Sequence, residues 1–367
     1  MLKFELWLPQ ASLECSKLTL THKIMTKKHR YINTRTHKHM KQISLLVFII
    51  LLLTNCTTKE KKEIDVSAIE ANITIQRLET ELSSFDTLPE VVAFLEKHSL
   101  FANEFLGIKQ YPSINILTET MLRMGQDYAI DTLTKDAVNA FPSLDKLENE
   151  LTQGYKHLKY YYPEQPIPTS YSCVTGFGTD VMVNDSILVI GLDFFMAGKS
   201  RFIPEDIPGY ILKYYSEEYI PTKVMALVSQ KYNAFDIKDQ TILSQMIHYG
   251  KSHYFIESMY PSAADSIVIE YSAKEIDDLS VMAPKVWAHF VENKLFFNTS
   301  RESIRRYIDD RPNTVEIGDK CPGRIGRWLG WQIVRSYMER NPEITLQELM
   351  EEKDAAKIFK EAKYKPN

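Results

Sequence analysis

Apolar side chains recur at two different spacings along this chain, and the changes between them lay out its elements. Around residues 73–78 the pattern alternates loosely and predicts a first short strand. From Pro89 to His157 the period is helical: Val91, Phe94 and Leu95 lead to Phe101 and Phe105, then Leu117, Met121 and Leu122, then Leu147, Leu151, Tyr155 and Leu158. Pro163 closes that stretch, because proline disfavours helix at the residue before it. Residues 170–195 form the β segment, with Tyr171, Val174, Val181, Val183 and the apolar run 187–192 set around an Asn184-Asp185 turn. Gly176 and Gly178 mark a second tight turn. Helical spacing then returns in residues 211–228, where Pro221 should begin or kink a helix, in 240–260, in 271–297, in 324–338 and in 346–359. The expected class is α+β, mainly helical, with a small central antiparallel or mixed sheet.

The chain ahead of residue 66 follows a different rule. Residues 43–53 are an apolar run of 11 (ISLLVFIILLL) preceded by Lys38 and Lys41. A membrane-spanning helix needs about 20 apolar residues, so this run is too short to cross and has the length of a signal-peptide core. Leu53-Thr54-Asn55-Cys56 follows directly and resembles the bacterial lipobox, in which the cysteine thiol is diacylated and cleavage falls just before it. The bland alternatives are an uncleaved anchor or a chance cysteine. Residues 1–55 are thus expected to be an N-terminal extension and lipoprotein signal peptide, with translation starting at Met40 or Met25. Residues 56–65 would be a charged tether, and 66–367 the folded domain. Cys56 is the expected lipidation site and the expected attachment to the membrane. About 310 residues would remain, enough for one large core or two subdomains.

Removing that leader changes the charge. The whole chain has 44 Lys/Arg and 48 Asp/Glu, a net charge of −4. Residues 1–55 hold nine of the basic and two of the acidic residues, so the remainder carries 35 and 46, a net charge of −11. With no basic stripe to offset it, such a surface repels nucleic acid, which is not an expected partner. Besides Cys56, the domain holds Cys173 and Cys321. A disulfide between them is open, but two cysteines do not establish a framework.

Motifs for catalysis are absent. No His-Glu-x-x-His occurs, so the two imidazoles and carboxylate of a zincin cannot sit on one helix. His248 and His253 are five apart, a spacing expected to place them on different faces of their helix. No Gly-x-Ser-x-Gly elbow or phosphate-binding loop is present, and Glu217-Glu218 and Asp277-Asp278 read as solvated faces. No metal or other cofactor is expected. One segment stands apart: Cys321-Pro322-Gly323-Arg324-Ile325-Gly326-Arg327-Trp328-Leu329-Gly330-Trp331. Each glycine inside a helix costs about 1 kcal/mol relative to alanine, so three here need a cause. Gly326 and Gly330 are four apart and would form a groove that Trp328 and Trp331 could wall. The bland reading is close helix packing inside the domain. The functional reading is a partner groove including Gly323, Arg324, Gly326, Trp328, Gly330, Trp331 and Tyr249.

The same segment carries a resemblance. The lipobox, residues 75–79 (IQRLE), 187–195 (ILVIGLDFF), 246–255 (MIHYGKSHYF), Pro322 to Gly326, Gly330 to Met338 and the terminal Lys363-Tyr364-Lys365-Pro366 are similar to the gliding-motility lipoprotein GldB family of Bacteroidetes. That resemblance implies a periplasm-facing lipoprotein, held in the outer rather than the inner membrane, acting with gliding and type IX secretion components. A more distant likeness runs to predicted zinc peptidases. It implies their architecture without the metal site, since the helix after the strand lacks His and Tyr249-Gly250 stands where Glu-Gly is expected. The leading expectation is a noncatalytic lipoprotein that binds a protein partner. The alternatives are a hydrolase with an unrecognised site and, from 20 Tyr residues, a glycan- or peptide-binding lipoprotein.

Overall fold

Strand β4 is buried at every position from Ile187 to Gly191, and the sheet is built around it. Residues 64–366 are described by the computed structural model; Cys56, the leader and most of the tether lie outside them. The chain from Glu63 onward forms a compact unit. Its four strands are β1 (Ile75–Arg77), β2 (Thr169–Cys173), β3 (Val181–Val183) and β4, in the order β1-β2-β4-β3. β1 and β4 both run parallel to β2, while β3 pairs antiparallel to β4 with Val183 opposite Leu188, closing the Asn184-Asp185 hairpin. The sheet is therefore mixed. The apolar run in β4 has no polar face because both faces are covered: Ile187 and Val189 point into one cluster, Leu188 and Ile190 into another.

The smaller cluster lies under the first helices, α1 (Glu79–Leu82), α2 (Leu88–Lys97), α3 (Ser99–Glu104) and α4 (Ile114–Gly125). Thr87 and Glu90 form a capping box at the start of α2, and Ser113 caps α4. The larger cluster is enclosed by α5 (Tyr128–Ala140), α6 (Asp145–Tyr161) and all that follows the sheet. That later part comprises α7 (Gly209–Leu212), α8 (Ile220–Ser229), α9 (Ile242–Met259), α10 (Asp265–Ile269), α11 (Ala273–Glu292), α12 (Arg301–Tyr307), α13 (Ile325–Arg340), α14 (Leu346–Glu351) and α15 (Ala355–Ala362).

Pro221 occupies the first turn of α8, where a missing N–H costs nothing, so it begins a helix rather than kinking one. The helix expected over 346–359 is instead broken in two. Asp354 turns its carboxylate to the Lys357 N–H and caps α15. At the same break the buried Lys251 ammonium donates to the carbonyls of Met350 (3.1 Å), Glu352 (2.7 Å) and Ala234 (2.8 Å). The short helices α1, α10 and α12 had no signal of their own. Cys173 and Cys321 are both buried and both free, each packed in a different apolar cluster, so the open disulfide is not formed.

Candidate functional site

Helices α9 and α13 make the most extensive helix contact among the described residues, and glycine is the reason they can. A Cβ on Gly330 would stand 1.9 Å from the Met246 carbonyl oxygen, and one on Gly250 would stand 2.5 Å from the Gly330 carbonyl. The two backbones touch. Gly326 is closed in the same way by Ile308 and the Tyr307 carbonyl, and Gly323 by the Arg311 carbonyl at 1.7 Å. Trp328 is nearly buried and Trp331 fully so, its indole N–H donating to Glu257 at 3.0 Å. The groove expected between Gly326 and Gly330 is thus filled by the chain's own backbone. Gly323, Gly326, Gly330, Trp328 and Trp331 are packing residues of this seam.

The two remaining members of that expected groove, Tyr249 and Arg324, meet at a different place. They border a cavity of about 240 Å³ framed by residues of α8, α9, α10 and α13. Arg324 sits at the N-cap of α13 in the left-handed region, with φ 56°. Such a conformation costs a non-glycine residue roughly 1–2 kcal/mol. The guanidinium it positions donates to the carbonyls of Ile269 (3.3 Å) and Glu270 (2.8 Å) and lies 3.5 Å from the Glu270 carboxylate. Glu270 is itself left-handed, at the C-cap of α10. Its carboxylate also receives the Lys223 ammonium at 2.5 Å. Burial alone would raise the Glu270 pKa, but Lys223 and Arg324 outweigh it and hold the group below the usual carboxylate range. One turn further along α13, the Arg327 guanidinium lies over the Tyr249 ring, 4.2 Å from its centre.

His248 and His253 both line this cavity, contrary to the expectation that five residues would separate them. Five residues turn a helix by about 140° beyond a full circle, and the opening spans that arc. Neither His253 nitrogen makes a hydrogen bond of good geometry, although the Val268 carbonyl lies beside one of them, and Nδ1 of His248 has no partner. Burial drives the His253 pKa down to about 3, with Arg327, Arg324 and Arg335 acting the same way and only the Val268 carbonyl opposing. Burial also lowers His248, helped by the Lys251 charge. Both rings are therefore neutral near pH 7. Beneath the floor, Arg335 stacks on Trp331 and is matched by Glu257 at 2.9 Å and Asp265 at 2.7 Å.

This geometry limits the chemistry. Ser252 also lines the cavity, but its oxygen accepts from Asn233 at 2.9 Å and from the Ser229 hydroxyl at 3.2 Å. No imidazole reaches it as a base. In a Ser-His-Asp triad a carboxylate steers the histidine, whereas His253 is surrounded by cations. Among the described residues, no group of three or more His, Cys, Asp or Glu is placed to hold a metal ion. What the wall offers is a set of donors and positive charge.

The family model for gliding motility protein GldB matches residues 59–366. The chain belongs to the GldB family. It is associated with gliding motility on that basis. The match takes in α8, α9, α10 and α13, and so every residue of the cavity wall. No curated protein and no solved structure matches the chain, and the likeness to zinc peptidases has no structural counterpart. Among the described residues of this GldB-family chain, no helix is long and apolar enough to cross a membrane. Sequence reasoning missed Lys223, Glu270 and Arg327. Arg324-x-x-Arg327 on one helix face was a legible signal; Glu270 had none, because its role depends on a backbone conformation.

Proposed function

We propose that this chain is a noncatalytic lipoprotein of the gliding and type IX secretion machinery, anchored through Cys56. On this reading its domain faces the periplasm, from the outer membrane, and docks a segment of a protein partner at the cavity bordered by Tyr249 and Arg324. The observation that carries the reading is that cavity. It lies in a chain of the gliding family, it is lined with charged side chains and with imidazole nitrogens that make no hydrogen bond of good geometry, and it lacks an activated nucleophile. Lipid anchoring is supported by the apolar run and Leu53-Thr54-Asn55-Cys56, since two or three acyl chains hold a protein stably at a bilayer.

Two experiments test the two halves. Cys56→Ala should move the protein from the membrane fraction to the soluble fraction without lowering its melting temperature; continued membrane association counts against the anchor. A photo-crosslinking residue in place of Tyr249, in cells, should capture a gliding or secretion component, and the same residue in place of exposed Val281 should not. The second reading, a hydrolase, draws on the presence of His248, Ser252 and His253 in one cavity. Stoichiometric zinc in the purified protein together with peptide turnover would favour it.

A further inference from the structure

We propose that the polar cavity receives a carboxylate carried by a peptide segment. This rests on the docking reading above and specifies the chemistry of what docks.

The charges at the wall point to an anion. Lys223, Arg324 and Arg327 face a single lining carboxylate, Glu270. Asp310 approaches Arg324 at 3.5 Å and Arg327 at 3.9 Å from the exposed side. Three cations against two carboxylates leave one positive charge, which a monoanion balances. A metal ion would add to the excess, and a phosphate dianion would reverse it.

The donors point the same way. Arg324 spends its hydrogen bonds on the carbonyls of residues 269 and 270. Arg327 uses only Nε, which donates to the Ile308 carbonyl at 2.7 Å, so its terminal nitrogens form no hydrogen bond among the described residues. The Tyr249 ring holds that guanidinium in place. A planar fork of this kind is the usual partner of a carboxylate.

His253 adds to this set. Neither of its nitrogens makes a hydrogen bond of good geometry, although the Val268 carbonyl lies beside one of them. A buried polar atom left unmatched costs about 1–3 kcal/mol, which a hydrogen-bonding ligand recovers. The carboxylate is the end of a chain or an Asp or Glu side chain, and the pools below separate the two.

The test uses the full chain solubilised in detergent and three pools of N-acetylated tripeptides. The first pool has free carboxyl ends, the second is amidated, and the third is amidated with a central Asp or Glu. We expect a saturable rise in melting temperature with the first pool, the third or both, and none with the second, about tenfold weaker for Arg327→Gln and for His253→Phe. Should Arg327→Gln melt early, Arg327→Lys keeps the charge but loses the fork and should also bind more weakly. An equal response to all three pools, a response led by the second, or none at all overturns the proposal. The Tyr249 crosslink is read separately. Capture that neither the first nor the third pool competes leaves docking standing and removes the carboxylate; no capture removes docking itself.

Discussion

Two cavities of nearly equal size, about 220 and 240 Å³, lie in this domain, and their walls are opposites. The first sits where α1 to α5 cover the sheet; Phe85, Phe101, Phe105, Leu106, Met121 and Met124 make most of its wall, with Glu79 and Thr134 among the few polar groups. The second is the polar cavity of α8, α9, α10 and α13. An apolar void forfeits some dispersion contacts and little else, so short helices laid across a sheet account for the first without any ligand. The second is harder to account for. It gathers imidazole nitrogens with no hydrogen bond of good geometry, a guanidinium whose terminal nitrogens make no hydrogen bond and have only a 3.9 Å ion pair to Asp310, and two non-glycine residues held left-handed. Size does not separate these cavities; the cost of leaving each one empty does.

The floor of the polar cavity is the first place to break this contrast. Gly330→Ala would put a methyl group 1.9 Å from the Met246 carbonyl, a backbone atom that cannot swing away. We expect a loss of about 3 kcal/mol or more, read as a melting temperature lower by several degrees. Gly209→Ala, which meets nothing within 4 Å, should change stability by less than about 0.5 kcal/mol. A normal melting temperature for Gly330→Ala would mean that α9 and α13 do not meet as closely as described.

Much of this was legible beforehand because burial repeats with the element. The run in β4, the helices from α2 to α6, the hairpin at Asn184-Asp185 and the helix start at Pro221 all follow from periodicity and turn chemistry. The break between α14 and α15 was not, because the Lys251 ammonium that binds the carbonyls there comes from a helix about a hundred residues away. The glycines of 323–330 announced a close approach but not what approaches. Two facing glycines, 250 and 330, turned a candidate groove into a packed seam. The site was legible in fragments. Arg324 and Tyr249 were singled out, yet for a groove that is filled, and they meet at another opening that only the packing of four helices creates.

A smaller effect separates the cavities by pH. His253 titrates near 3 when folded and near 6.5 when unfolded. Between those values the unfolded chain holds a proton that the folded chain lacks, so stability must fall as the pH drops through that window. The low pKa of Glu270 acts in the same direction in more acidic solution. His253→Phe removes the titrating group and both unpartnered nitrogens. The variant should be at least as stable as the parent at pH 7, and its advantage should be larger by about 1–2 kcal/mol at pH 5. Urea titrations at the two pH values measure this. Identical pH dependence in parent and variant would show that His253 is solvated or charged, and the polar cavity would lose its unmatched imidazole.

The least effect is expected in the apolar cavity, and it makes the contrast quantitative. Thr134 lines that cavity, and its hydroxyl is buried with no hydrogen-bond partner. Valine has the same shape without the polar atom. If the cavity is only a void, Thr134→Val should stabilise the protein by about 1 kcal/mol, equally at pH 7 and pH 5, because nothing there titrates with the substitution. Neither the free-carboxyl tripeptides nor the Tyr249 crosslink should respond to it. A loss of stability would mean that the hydroxyl has a partner, such as an ordered water or a ligand. The apolar cavity would then need the same kind of account as the polar one.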